Sequence, residues 1–236
     1  MKNLEKQEQE LLQEERSVFT APLQRRSFLQ FAGAGAAGVA LVAAGCKKDR
    51  GDLMTSTGVT LDFKDDFGIL NYAYALEQLE AAFYVQVVKT PYASMPANEL
   101  ALLTDIRDHE VAHREFFKNA LSTAAIGSLE VNFSKIDFSS RASVLGTAKA
   151  FEDLGVSAYN GAGKMIKSVD YLLLAGKIVS VEARHAALIR DLLENGTFAN
   201  TEVVAASTGL DTSRTPAAVL AIAGGFIKTE VKAINL

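Results

Sequence analysis

The chain has 236 residues, 49% of them hydrophobic, and a formal net charge of −4. That is enough apolar material for one well-cored domain, and it offers no basic stripe of the kind nucleic acid requires. The single cysteine, Cys46, excludes an intramolecular disulfide and a cysteine-built metal cluster.

From the N-terminus, the string RRSFLQ (Arg25 to Gln30) precedes a mildly apolar, Gly/Ala-rich run that ends at Gly45-Cys46. This order resembles a twin-arginine export signal, although Gln24 stands where Ser or Thr is commoner and Gln30 where Lys is common. The stretch LVAAGC resembles a lipoprotein signal, in which Cys46 is lipidated and becomes the mature N-terminus; Ala43 stands where Leu is more usual. The resemblance implies that residues 1–46 are an export signal with a lipobox cysteine. It also implies a periplasmic or cell-surface location with a lipid anchor in a membrane. Because the twin-arginine route carries folded proteins, a metal site would be loaded before export. The competing reading is an uncleaved membrane anchor. The apolar run lies at the lower limit for spanning (~17–25 residues) and is diluted by glycine. Residues 47–65 are polar without a sustained period and read as a flexible tether.

The remainder, residues 66–236, reads as helical. A first helix is predicted from Asp66 or Phe67 to about Thr90, where Pro91 stops it. Leu70, Ala73, Glu77, Ala81 and Tyr84 share one of its faces. A second helix is predicted from near Asn98 to before Gly127, with a stripe of Leu103, Ile106, Glu110, His113 and Phe117. LEVNFSKIDFSS then reads as an extended segment. Fifteen extended residues reach roughly 50 Å at ~3.3 Å each, enough to run from one end of a bundle to the other. A third helix from Ser140 or Ala142 aligns Val144, Ala148, Glu152, Val156 and Tyr159. A fourth, about Ser168 to Glu194, aligns Ala175, Ile178, Glu182, His185 and Ile189 and closes at Asn195-Gly196. Thr215-Pro216 starts a short helix, with Pro at its first position, that would cap the bundle.

Two helices therefore carry Glu-x-x-His, and each is preceded by a helix with an inward Glu and a Tyr seven residues later. The sets are Glu77, Tyr84, Glu110, His113 and Glu152, Tyr159, Glu182, His185. Residues three apart share a helix face, so each Glu-x-x-His offers an oxygen and a nitrogen to one point. Four carboxylates in one core would repel and lose hydration at high cost, and two divalent cations would offset both. Mixed carboxylate and imidazole donors suit iron or manganese; zinc would be possible but usually takes fewer ligands. A lone Glu-x-x-His occurs by chance on solvated faces; the weight here lies in the repetition and in a chain with only three histidines. Glu80 competes with Glu77. It reads as a surface-edge charge or an outer-shell partner, because only Glu77 matches the Glu152–Tyr159 spacing. Tyr84 and Tyr159 read as core tyrosines or as hydrogen-bond partners of the ligands. His109 is predicted at the surface.

The strings LEQLEAAFY, HEVAHREFF, FEDLGVSAY and VEARHAALI resemble the ferritin-like superfamily, and within it the ferritin-like domain group that includes desiccation-related proteins. The resemblance implies an all-α fold: a ferritin-like four-helix bundle of two helical hairpins joined by one long crossover. It implies two iron ions or two manganese ions held by Glu77, Glu110, His113, Glu152, Glu182 and His185. It further implies redox chemistry on peroxide, dioxygen or ferrous iron, of ferroxidase, peroxidase or catalase type, and a possible homodimer. The alternative is a non-catalytic metal-binding or stress-protective surface lipoprotein, since fold alone does not assign an activity.

Overall fold

A computed structural model describes residues 58–236. The span read as an export signal, Cys46 and residues 47–57 of the span read as a tether lie outside the described residues. The elements run in order β1 (Val59–Asp62), α1 (Asp66–Lys89), α2 (Ala97–Leu121), α3 (Arg141–Gly163), α4 (Val169–Leu193), α5 (Pro216–Ala223) and β2 (Val231–Ile234). Short 3₁₀ turns follow α2 and α5, at Ser122–Ala124 and Gly224–Phe226.

Local chemistry sets the helix ends. The Asp65 side chain accepts from the amides of Phe67 and Gly68 to open α1. Ser140, Ser168 and Thr215 do the same for α3, α4 and α5. Pro216 occupies the first turn of α5, where its missing N–H costs nothing.

α1 and α2 form one hairpin, and α3 and α4 form the other. The crossover from Ala125 to Ser140 travels the length of the bundle, so α3 starts beside the end of α1. It finishes near the start of α1, where the Lys167 and Ser168 amides donate to the Asp66 carboxylate at 2.8 Å. α1 and α3 are thus antiparallel neighbours. Side-chain amides on α1 bolt the crossover down. Asn71 Oδ1 accepts from the Ile126 amide at 2.8 Å, and Gln78 Oε1 accepts from the Leu129 amide at 2.9 Å. Phe133 and Phe138 of the crossover pack on Phe83, with ring centroids 6.0 and 5.9 Å apart.

Two features depart from the sequence reading. First, Val59–Asp62, inside the span read as tether, form a strand paired in parallel with Val231–Ile234, in register Val59 to Val231 through Asp62 to Ile234. Leu61 is fully buried under it. The compact unit therefore begins before residue 66, and a small two-stranded sheet accompanies the all-helical bundle. Four-residue strands carry no readable period, and their partners lie at opposite ends of the described chain. Second, α1 is not amphipathic. Every residue from Gly68 to Ala81 is buried, because α2, α3, the crossover and the sheet enclose it on all sides.

Among the described residues, no helix is long and apolar enough to cross a membrane.

Candidate metal centre

Four helices each deliver one carboxylate to the middle of the bundle. Glu77 (α1), Glu110 (α2), Glu152 (α3) and Glu182 (α4) are all 0% exposed. His113 and His185 lie one helical turn beyond Glu110 and Glu182 on the same faces. His185 is buried and His113 is nearly so. All six side chains singled out from the sequence meet there.

They form two overlapping groups of four. One comprises Glu77, Glu110, His113 and Glu182, and the other Glu110, Glu152, Glu182 and His185; within each, one atom per residue lies within 4.8 Å of the others. Glu110 and Glu182 belong to both. His113 Nδ1 lies 3.5 Å from Glu77 Oε2, 4.0 Å from Glu110 Oε2 and 2.8 Å from Glu182 Oε1. His185 Nδ1 lies 2.9 Å from Glu110 Oε1, 3.6 Å from Glu152 Oε2 and 3.7 Å from Glu182 Oε2. Each shared carboxylate thus gives one oxygen to either half-site.

Three of these contacts are too long for hydrogen bonds, and the shorter ones do not align as such. Among the described residues, ten buried side-chain polar atoms lack a hydrogen-bond partner, and eight of them are the donor atoms just named. Buried polar groups are almost always paired, so eight converging orphans require an explanation. A pair of cations provides one, because each half-site presents three oxygens and one nitrogen. The residues present therefore fit the two-ion centre that the resemblance implies.

The outer oxygens are fixed crosswise. Tyr84 on α1 donates to Glu152 Oε1 on α3, and Tyr159 on α3 donates to Glu77 Oε1 on α1, both at 2.5 Å. Each tyrosine leaves its carboxylate one free oxygen, which points inward, and pins the group's orientation.

Without a cation the cluster shares protons. Burial, then the Glu182 charge, raises Glu77, and burial with the neighbouring carboxylates holds Glu110 well above the usual range. Burial also raises Glu152, to about 7. Burial disfavours charge on Glu182 too, but His113 and His185 outweigh it and lower its value. Burial likewise opposes charge on the imidazoles, yet the carboxylates beside them raise His113 to about 10 and His185 to about 12.

Glu80 is no surface-edge charge. It is 4% exposed, and burial, then Glu110 and the other carboxylates, push it well above its ordinary value. It faces Gly155 on α3, where an added Cβ would stand 3.0 Å from Glu80 Oε1. His109 is exposed as expected, but its Nδ1 sits 2.9 Å from His185 Nε2. The available signal was its i, i+4 spacing to His113, which turns both rings toward the same side of α2.

An apolar cavity of about 40 Å³ lies between the four helices on one side of the centre. Leu70, Ala73, Phe117, Ala162 and Ile178 line it, together with the ring of Tyr159.

Residues 65–195, more than half of the chain, match the family described as the ferritin-like domain. No curated protein matches the chain in sequence. The chain belongs to the ferritin-like domain family.

Proposed function

We propose that this is an exported, lipid-anchored ferritin-like protein that holds a pair of iron or manganese ions and uses them for redox chemistry on peroxide, dioxygen or ferrous iron. The observation that carries the reading is the set of eight buried donor atoms without hydrogen-bond partners, divided evenly between two half-sites.

When bound, such a pair of ions supplies two adjacent Lewis-acidic centres able to exchange electrons. The chain's own residues do the rest. Glu110 and Glu182, which place an oxygen in each half-site, would help to hold both ions. Glu77 and Glu152 each serve one half-site, their second oxygens held by Tyr159 and Tyr84. The closed core keeps bulk water from the donor atoms. The apolar cavity beside Tyr159 has the size and lining for a small uncharged molecule. It supports apolar dioxygen as the co-reactant more than hydrogen-bonding peroxide or a large organic substrate. For the anchor, the support is the order of RRSFLQ, apolar run and Cys46.

The test is metal analysis of freshly purified protein beside assays of peroxide consumption and ferrous oxidation. About two iron or manganese ions per chain, with turnover, is the expected result. Two ions without turnover would make this a metal-holding surface lipoprotein, and absence of metal after reconstitution would refute the centre. For the anchor, Cys46→Ser should abolish lipid labelling; labelling that persists would place the attachment elsewhere.

A further inference from the structure

His113 and His185 occupy equivalent places in the two half-sites, but their outer nitrogens meet different surroundings. His185 Nε2 lies 2.9 Å from His109 Nδ1. The two rings are 9° from parallel, with centroids 5.2 Å apart. That centroid spacing equals the nitrogen separation extended by one ring radius at each side. The imidazoles therefore lie edge to edge in a common plane, with the N–H of one aimed along the lone pair of the other. His113 Nε2 has no protein hydrogen-bond partner among the described residues. The repeat that relates Glu110–His113 to Glu182–His185 places Val181 where His109 stands, and valine accepts no hydrogen bond.

His185 turns Nδ1 toward the carboxylates. To offer a lone pair there, the neutral ring must carry its hydrogen on Nε2. His109 Nδ1 is placed to accept that hydrogen, which leaves the hydrogen of His109 on its own Nε2. A partner on the far nitrogen of a ligand imidazole selects the tautomer, fixes the ring and makes the near nitrogen a better donor.

We infer that His109 is a positioning residue for the His185 half-site, so that the two half-sites bind metal unequally and the His185 side binds more tightly. The inference rests on the proposed metal centre and goes beyond it, because the ligand repeat alone predicts two equal sites.

The experiment titrates the full chain, stripped of metal, with manganese(II) by calorimetry, following helix content by circular dichroism. Wild-type protein should bind two ions in two resolved steps. His109→Phe, which keeps a planar ring but removes the acceptor, should weaken one step by ~10- to 100-fold and spare the other. His109→Gln, whose amide oxygen can accept from Nε2–H, should recover part of the loss. In a His113→Ala background, His109→Phe should weaken the remaining step; in a His185→Ala background it should change nothing. A purely structural role would instead weaken both steps and fail to distinguish the backgrounds. Equal affinities in wild type and His109→Phe would overturn the inference while leaving the metal centre standing. A wild-type chain that binds no manganese(II) or iron(II) would overturn both.

Discussion

The two helical hairpins present the same chemical groups in the same order, yet they sit in unlike surroundings. α1 is buried at every residue from Gly68 to Ala81, with Phe67 and Val85 exposed only toward its two ends, whereas the outer face of α4 leaves Val169, Leu172 and Leu173 in solvent. Glu80 on α1 faces Gly155, its counterpart in the repeat, and His109 on α2 has Val181 as its counterpart. The donor set is duplicated while its supports are not. Two half-sites built from matching side chains can therefore differ in their surroundings and in access.

The sharpest way to break the comparison is to separate shared from private ligands. Glu110→Ala and Glu182→Ala remove an oxygen from both half-sites and should reduce binding from about two ions to almost none. Glu77→Ala and Glu152→Ala should each leave about one. Metal analysis of the four variants checks this, with circular dichroism to confirm helix content. The same logic has a stability corollary. Glu110→Gln removes a buried carboxyl that must take up a proton to stay in the core at neutral pH, so the metal-free variant should melt a few degrees above metal-free wild type, about 1 kcal/mol.

Acidity should weaken both half-sites together. Without a cation, His113 and His185 titrate near 10 and 12, so at neutral pH each still holds the proton that metal must displace. Binding then releases protons, and affinity should rise by at least about tenfold per pH unit through the neutral range. Titrations at several pH values, and in buffers of different ionisation enthalpy, measure the release. Affinity independent of pH would mean that the imidazoles are not displaced.

The crosswise tyrosines test whether the halves are coupled. Tyr84→Phe should weaken the half-site of Glu152 on the opposite hairpin, and Tyr159→Phe that of Glu77. Each loses a hydrogen bond to a charged group, about 1.5–3 kcal/mol. Tyr84, fully buried where Tyr159 is only half-buried, should show the larger effect. The residual step in each titration identifies which half was affected.

The smallest effect belongs to Gly155→Ala. Its Cβ would crowd Glu80 Oε1, a cost of about 1 kcal/mol or more that a helical alanine offsets by roughly 0.5–1 kcal/mol. In a Glu80→Ala background the crowding vanishes and the same change should be stabilising. Thermal melts of the four proteins in the cycle read the difference.

Much of the fold is legible because its signals are local. Asp65, Ser140, Ser168 and Thr215 cap helices through hydrogen bonds within three residues, and Pro91 lies just beyond the end of α1. The six centre side chains are legible for the same reason, since i, i+3 spacing turns Glu110 with His113, and Glu182 with His185, to one face. The β1–β2 pairing was not legible, because two short strands far apart in sequence advertise neither their period nor each other. The burial of Glu80 was not legible either, because helical spacing sets it beside Glu77 without saying whether that flank of α1 is covered. The enclosure of that helix depends on the crossover and the sheet covering its outer side.

The order of residues along the chain determined which groups could be donors, and on which face of which helix each would stand, because helical periodicity is a property of neighbours. Only the packing of four helices decided that Tyr84 reaches Glu152 rather than a carboxylate on its own helix. The same packing decided that Glu110 and Glu182 divide their oxygens between two half-sites, and that His109 lies in the plane of His185. Those relations are distances between separate helices, set by how side chains from all of them fill one core.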